Sequence, residues 1–312
     1  MPEPEGRVTL WGIEIFLAAA EEGAISAAAR RLGVSPSAVS QQLSGLEQAL
    51  GAALLDRSTR PMAITPAGAM FRRHAQTMLN AAEEARAELA QADLAGLTTL
   101  RLGMIEDFDA DVTPRLLSAL SQELKSCRFL LETGPSHRLL DLLDSRALDV
   151  VVAADSGSEG EGRELHPILR EPFLAVCPKG RTPADLPLIR YTARHLMGRQ
   201  IAAHLAQLGL NPASRFELDS YHAILAMVAA GEGWAILTPL ALHQARRFRA
   251  EVEVTPLPFA PMSRTLSLSA RNGVLRGVPA QISQRLKGLI QSDVIDPMCA
   301  ALPFLGSELR VL

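Results

Sequence analysis

Cysteine is sparse in this chain: Cys127, Cys177 and Cys299 are the only three in 312 residues. They show no CxxC or CxxxC spacing and make no ligand set with histidine, so neither a disulfide framework nor a structural zinc site is expected. The only basic residues close to Cys127 are Lys125 and Arg128, which is weak support for a redox sensor. No apolar run approaches the roughly 18 residues of a membrane helix, and no signal peptide is visible. A cytoplasmic protein is the expectation. Positive charge is not in excess either. With 31 basic and 34 acidic residues the net charge is −3, so DNA binding must come from a local patch built by folding.

Catalytic signatures are also missing. There is no GxSxG elbow, no HExxH and no phosphate-cradling glycine loop followed by lysine. The polar stretch Asp155–Gly162 is glycine-rich but lacks that spacing. His74, His137, His166, His195, His204, His222 and His243 are scattered, with no metal-spaced pair. No catalytic residue, metal or cofactor is implied.

The most informative stretch is Ala24–Glu47. Ser26 is a candidate N-cap for a short helix, and Gly33 supplies its stop. Ser35 then caps a second helix with Pro36 at its first position, running to Leu50. Two short helices joined by a tight glycine turn make a helix-turn-helix. Val34, Val39, Leu43, Leu46 and Leu50 mark the side expected to be buried. Ser37, Ser40, Gln41 and Ser44 mark the side free to reach base edges or phosphates. An ordinary helical hairpin with a polar face is the competing reading.

Around this stretch, Leu10–Glu21 carries a helical apolar stripe that would pack against it. Leu54–Ile64 reads as two short extended pieces forming a wing, with Arg57 and Arg60 placed for phosphate or minor-groove contact. Thr65-Pro66 opens a long helix to about Ala92, with apolar positions from Ala67 and Met70 through Phe71, Ala75, Met78, Leu79 and Ala82 to Leu89. Such a stripe predicts dimerisation; packing back on its own domain is the alternative. Asp93–Thr99, with Gly96, is the expected boundary.

From Leu100 onward strands and helices alternate, which predicts parallel-type α/β units. Strands are expected at 100–104, 129–132, 150–153, 174–177, 188–191, 214–218, 235–239 and 266–270. Open α/β sheets take ligands at the carboxyl ends of their strands. Those ends bring forward Glu106, Asp107, Pro135, Ser136, Tyr191, Thr192, Ser220 and Thr238 as candidate effector residues.

The run Ala28–Ser35, with Ala38-Val39-Ser40, Leu46-Glu47, Leu50-Gly51, Leu54–Arg57 and Ile64–Gly68, resembles the N-terminal domain of LysR-type transcriptional regulators. The weaker matches Val228–Gly233 and Leu237-Thr238-Pro239 resemble that family's effector domain. Leu55 stands where the family usually has phenylalanine, and Gln41 where arginine is common, which weakens any arginine–guanine contact there.

The resemblance implies three parts. They are a winged helix-turn-helix over 1–65, a linker and dimerisation helix over 66–95, and a two-lobed effector domain over 96–312 resembling periplasmic binding proteins. Its lobes would span about 98–178 with 264–312, and about 179–263, with crossings near Pro178–Arg181 and Pro261–Arg264. The tail from Asp296 would pack on the first lobe.

The implied protein is a sequence-specific regulator acting as a dimer or tetramer. Paired recognition helices would sit in successive major grooves roughly 34 Å apart. The DNA-binding residues would be Arg30, Ser35, Pro36, Ser37, Ser40, Gln41, Arg57 and Arg60. An effector in the cleft would shift lobe closure, and RNA polymerase is a further implied partner. Relatives often place hydroxyl residues where Asp107 and Pro135 stand. The acidic pair Glu106-Asp107 points instead to an amine-bearing effector, with helix capping as the plainer explanation. A solute-binding protein, or an enzyme with an appended DNA-binding module, are the alternatives.

Overall fold

The computed structural model describes residues 7–89, 97–154, 162–306 and 308–312. Contacts divide the chain into an N-terminal unit and a larger C-terminal unit.

The N-terminal unit begins with α1 (Leu10–Glu22), whose N-cap Thr9 accepts a hydrogen bond from the Gly12 amide at 3.0 Å. It is followed by α2 (Ile25–Leu32) and α3 (Pro36–Leu50). The first turn of α2 corrects the sequence reading: Ala24, not Ser26, is its N-cap, and no side chain caps it. The α2–α3 turn does form on Gly33, whose φ of 69° lies in the left-handed region that glycine enters at little cost. Ser35 caps α3 by accepting from the Ala38 amide at 3.2 Å. Val39, Leu43 and Leu46 are buried against Ile13, Phe16 and Leu17 of α1. Leu50 is not part of that face; it is 37% exposed.

Two short antiparallel strands, β1 (Leu55–Asp56) and β2 (Ala63–Ile64), form the wing. Then α4 runs over Pro66–Leu89. It starts so close to the wing that a Cβ on Gly68 would stand 2.1 Å from the Leu54 carbonyl oxygen. The apolar stripe of α4 is largely spent within the unit. Ala75 is fully buried, and Phe71, Met78 and Leu79 pack on the same core, with the Phe71 and Phe16 rings 5.5 Å apart. Met70, at 61% exposed, and Ala85 face solvent. The expected end of this helix near Ala92, the boundary around Gly96 and most of the loop at 155–162 lie outside the described residues.

The C-terminal unit holds three sheets. The chain builds β3 (Thr99–Met104), α5 (Val112–Glu123), β4 (Arg128–Thr133), α6 (Ser136–Asp144), β5 (Val150–Ala154) and β6 (Arg163–Pro172). It then builds β7 (Leu174–Pro178), β8 (Leu188–Tyr191), α7 (Leu196–Gln207), β9 (Ser214–Leu218), α8 (Tyr221–Ala229), β10 (Ala235–Leu237), α9 (Pro239–Gln244) and β11 (Val252–Pro256). Last come β12 (Ser263–Arg271), α10 (Val278–Ile290), α11 (Asp296–Ala301) and β13 (Arg310–Val311).

Lobe I is a six-stranded sheet in the order β13-β6-β12-β5-β3-β4. Lobe II carries β10-β7-β11 and the pair β8-β9, linked where the Ile189 amide donates to the Trp234 carbonyl at 2.8 Å. Both lobes are mixed rather than parallel. β3, β4 and β5 run parallel, whereas β12 is antiparallel to β5 and β6, and β7 is antiparallel to both its neighbours. Among the antiparallel strands, β6, β11 and β13 fall where no strand is expected from sequence, and β7, β10 and β12 fall in units expected to be parallel. Alternation of elements in sequence cannot report strand direction when the chain crosses between lobes.

The first crossing is at Phe173, not near Pro178–Arg181, because β7 already belongs to lobe II. The second falls over residues 257–262. The two crossings touch, with the Phe173 amide donating to the Met262 carbonyl at 2.9 Å. One continuous apolar core reaches from Leu102, Val151 and Leu268 of lobe I to Leu237, Leu240 and Ile224 of lobe II. The tail returns to lobe I, where β13 pairs with β6 and Leu302, Leu305 and Leu309 are buried.

Candidate DNA interface and effector cleft

On the N-terminal unit, Pro36, Ser37, Gln41 and Ser44 of α3 are exposed and Ser40 is half-buried. Ser35 is also exposed, its hydroxyl 2.9 Å from that of Ser37. Arg30 at the end of α2 and Arg60 at the wing tip face solvent. These short polar side chains at the start of a helix suit base edges and phosphates.

Arg57 is placed differently from the expectation of a free phosphate contact. Its guanidinium donates to Glu47 Oε2 at 2.7 Å and to the Ser44 hydroxyl at 3.2 Å. The other oxygen of Glu47 accepts from the Leu54 and Leu55 amides at 2.8 and 3.2 Å. Glu47 therefore ties α3 to the wing. No local spacing marks this role, because the partners of Glu47 lie seven or more residues away.

In the C-terminal unit a small cleft opens between the lobes. Lobe I contributes Glu106 and Asp107 from the end of β3, and Pro135 and Ser136 from the start of α6. Lobe II contributes Tyr191, His195, Met197 and Tyr221. Arg264, at the start of β12, forms part of the wall. The two tyrosines of the chain both line this cleft.

Five of the eight residues expected from sequence thus meet: Glu106, Asp107, Pro135, Ser136 and Tyr191. Three are not among the lining residues. Thr192 is buried and donates to Glu217 Oε1 at 2.8 Å. Thr238 is fully buried as the N-cap of α9. Ser220 holds the N-cap position of α8. The Thr192 hydroxyl is taken by Glu217 and the Thr238 hydroxyl by the Ala241 amide, whereas Ser220 makes no side-chain cap bond. Sequence reasoning does not reach Arg264 or His195. Arg264 begins a strand rather than ending one, so the strand-end rule passes over it.

The cleft's electrostatics centre on Arg264. Its Nη2 donates to Asp107 Oδ2 at 2.7 Å, and its Nε donates to Glu171 Oε1 at 2.7 Å. Burial opposes the arginine's charge, but Glu171 and Asp107 outweigh it and its pKa is raised. Burial pushes the Glu171 carboxyl up, with Arg264 opposing. Both tyrosine phenols are pushed well above their ordinary value by burial, then by Asp107 and Glu106. His195 is pushed down by burial and by His137 across the cleft, whose ring lies 6.2 Å away. Among the described residues no group of three His, Cys, Asp or Glu side chains is arranged to hold a metal ion. No described helix is long and apolar enough to cross a membrane.

A winged helix-turn-helix followed by a two-lobed domain with an inter-lobe cleft defines a class: DNA-binding regulators governed by a small molecule. Residues 10–69 match the bacterial regulatory helix-turn-helix domain of the lysR family, and residues 96–281 match the LysR substrate binding domain. The chain belongs to the LysR family of transcriptional regulators.

A probable hydrogen peroxide-inducible genes activator of Mycobacterium avium is 34% identical over 211 residues, 64% of this chain and 68% of that one. The regulator TfdS of Cupriavidus pinatubonensis is 29% identical over 293 residues, 88% of this chain and 98% of its own. Full-length OxyR from Pseudomonas aeruginosa shares the fold with a TM-score of 0.68 at 23% identity, covering 90% of this chain and 95% of that one. The protein is a DNA-binding transcriptional regulator controlled by an effector.

Proposed function

We propose that the effector is an amine-bearing small molecule held in the inter-lobe cleft. The carrying observation is the company of charges and rings. Glu106 is an exposed carboxylate at the rim, Asp107 shares its guanidinium with Glu171, and two tyrosine faces stand beside them. An organic cation gains from both, the aromatic part being about 0.5–2 kcal/mol. Asp107 is not a free ligand in this reading, because Arg264 already holds one of its oxygens. Glu106, Tyr191, Tyr221 and Ser136 are the direct contacts.

The relatives named for peroxide induction raise thiol oxidation as a second reading. The thiols here do not favour it. None of the three lines the cleft. All three are pushed up by burial, Cys177 to about 11, which disfavours the reactive thiolate.

On DNA, Ser35, Pro36, Ser37, Ser40 and Gln41 would meet the major groove, and Arg30, Arg57 and Arg60 the phosphates. Self-association would use the outward face of α4 that holds Met70. RNA polymerase would be met at the bound promoter. Effector action by wide lobe opening is not favoured. It would split a shared core and break the contacts of α9 with lobe I, where the Leu240 amide donates to Glu171 Oε2 at 3.1 Å and Gln244 donates to the Asp107 carbonyl at 2.8 Å. The His137–His195 side of the cleft carries the change instead. A thermal-shift panel of basic amino acids, polyamines and plain carboxylates on the full chain tests the effector class. Stabilisation by amines supports it, and stabilisation by carboxylates alone refutes it.

A further inference from the structure

Behind the cleft lies a carboxylate that never touches it. Glu171 is 0% exposed and is not among the lining residues. It is nonetheless wired into the cleft through one side chain. Arg264 donates to Glu171 with Nε and to Asp107 with Nη2, so one positive charge is divided between two negative ones. The remaining partners are neutral. The Leu240 amide donates to Glu171 Oε2, and Nη2 also reaches the Thr238 hydroxyl at 3.4 Å. With both carboxylates ionised, the form favoured by the donors that Arg264 and Leu240 aim at the two oxygens of Glu171, the cluster sums to one negative charge in a buried setting where little solvent screens it.

We propose that Glu171 is a positioning and specificity-determining residue: by sharing Arg264 with Asp107 it leaves the cleft wall net negative, and so selects a cation over a carboxylate. Without the Glu171 charge, Arg264 and Asp107 form a balanced pair. The wall then loses its attraction for an ammonium group, and the guanidinium becomes available to an anion. The choice of a cation rests on the effector class proposed above; the charge of the wall does not.

Several charges bear on this wall. Arg264 and Asp107 face Glu171 directly. Tyr191 senses Asp107, Glu106, Arg264 and Asp219, and Tyr221 senses Asp107, Glu106 and Asp109. A protonated Glu171 is equivalent to a removed charge, and burial raises its pKa. Acidification should therefore weaken cation binding in the wild type.

The test uses the two tyrosines as probes that need no effector. Since both line the cleft and the chain has no others, fluorotyrosine incorporated throughout the protein labels only this site, with a phenol acidic enough to titrate while the protein is folded. Its ¹⁹F resonances give the ionisation midpoints. Glu171→Gln should lower them, because Arg264 is then shared with one carboxylate fewer. Glu171→Asp, which keeps the charge, should leave them near the wild-type values. Should Glu171→Gln not fold, Glu171→Met removes the charge at similar volume and places no donor against the guanidinium. Unchanged midpoints in a folded neutral variant overturn the proposal, as does an equal shift in Glu171→Asp. Putrescine and succinate binding, measured on the same proteins, reads the consequence separately. If neither binds the wild type, the effector class fails while the midpoints still decide the role of Glu171.

Discussion

Arg264 and Glu171 are direct partners in the antiparallel register of β12 and β6, and their side chains meet at 2.7 Å in a fully buried setting. The pair sits just inside the two crossings between the lobes, so the same residues close the sheet, anchor α9 and shape the cleft. Arg264→Met should leave both carboxylates buried without their cation. A loss of about 3–5 kcal/mol is expected on breaking such a pair. Urea unfolding of the full chain measures it; an unchanged midpoint would mean that the carboxylates simply protonate at no cost.

Gln41 faces outward on α3, and its removal should relax base preference. Gln41→Ala is expected to cost about 1–3 kcal/mol on the preferred operator and much less on random DNA. Glu47→Gln should behave in the opposite way. It frees Arg57 and loosens the wing, weakening all sequences together and changing the salt slope. Mobility shifts on both DNAs at several salt concentrations separate the two. Equal losses for Gln41→Ala on both would remove it from base reading.

Two positions on α4 separate folding from self-association. Ala75 is fully buried in the core of its own unit, so Ala75→Glu should unfold that unit, at a cost on the order of 3–5 kcal/mol. Met70 is exposed, and Met70→Glu should keep the fold while lowering the sedimentation coefficient of the assembly. A Met70→Glu protein that sediments as the wild type would exclude this face from the contact.

His243 makes stability depend on pH. It is buried, with Nε2 3.0 Å from the Arg246 guanidinium and 3.2 Å from Asp111. Burial, then Arg246, push its pKa down, with Asp111 opposing. The unfolded chain therefore binds more protons than the folded one just below the ordinary histidine value of 6.5. Its stabilising contribution is complete above that value and falls as the pH drops from there toward the depressed folded pKa. His195 is also depressed and acts in the same direction. Melting temperatures of the wild type should decline over this window, and His243→Gln should flatten the slope. A steeper slope in the variant would contradict the assignment.

Peroxide should leave DNA binding unchanged. Replacing Cys127, Cys177 and Cys299 together by serine or alanine should preserve the effector response. Mobility shifts before and after peroxide treatment check this. A peroxide-dependent shift that is lost in the triple variant would restore thiol sensing.

The sequence by itself determined the elements whose partners are neighbours along the chain. Ser35, Pro36 and Gly33 specify the α2–α3 turn because capping, a missing amide proton and a left-handed φ act within a few residues. The wing, the long α4 and half of the cleft were legible for the same reason, as turn residues, periodic stripes and strand ends. Only the tertiary structure decided where the stripe of α4 is buried, since one apolar face serves equally well against its own unit or another copy. It also decided strand direction in β6, β7 and β12, because crossings between lobes leave no mark in local pattern. The cleft's charge was hidden most deeply. Asp107, Glu171 and Arg264 stand far apart in sequence, and their net effect depends on sharing one guanidinium, which exists only once β6 and β12 are paired.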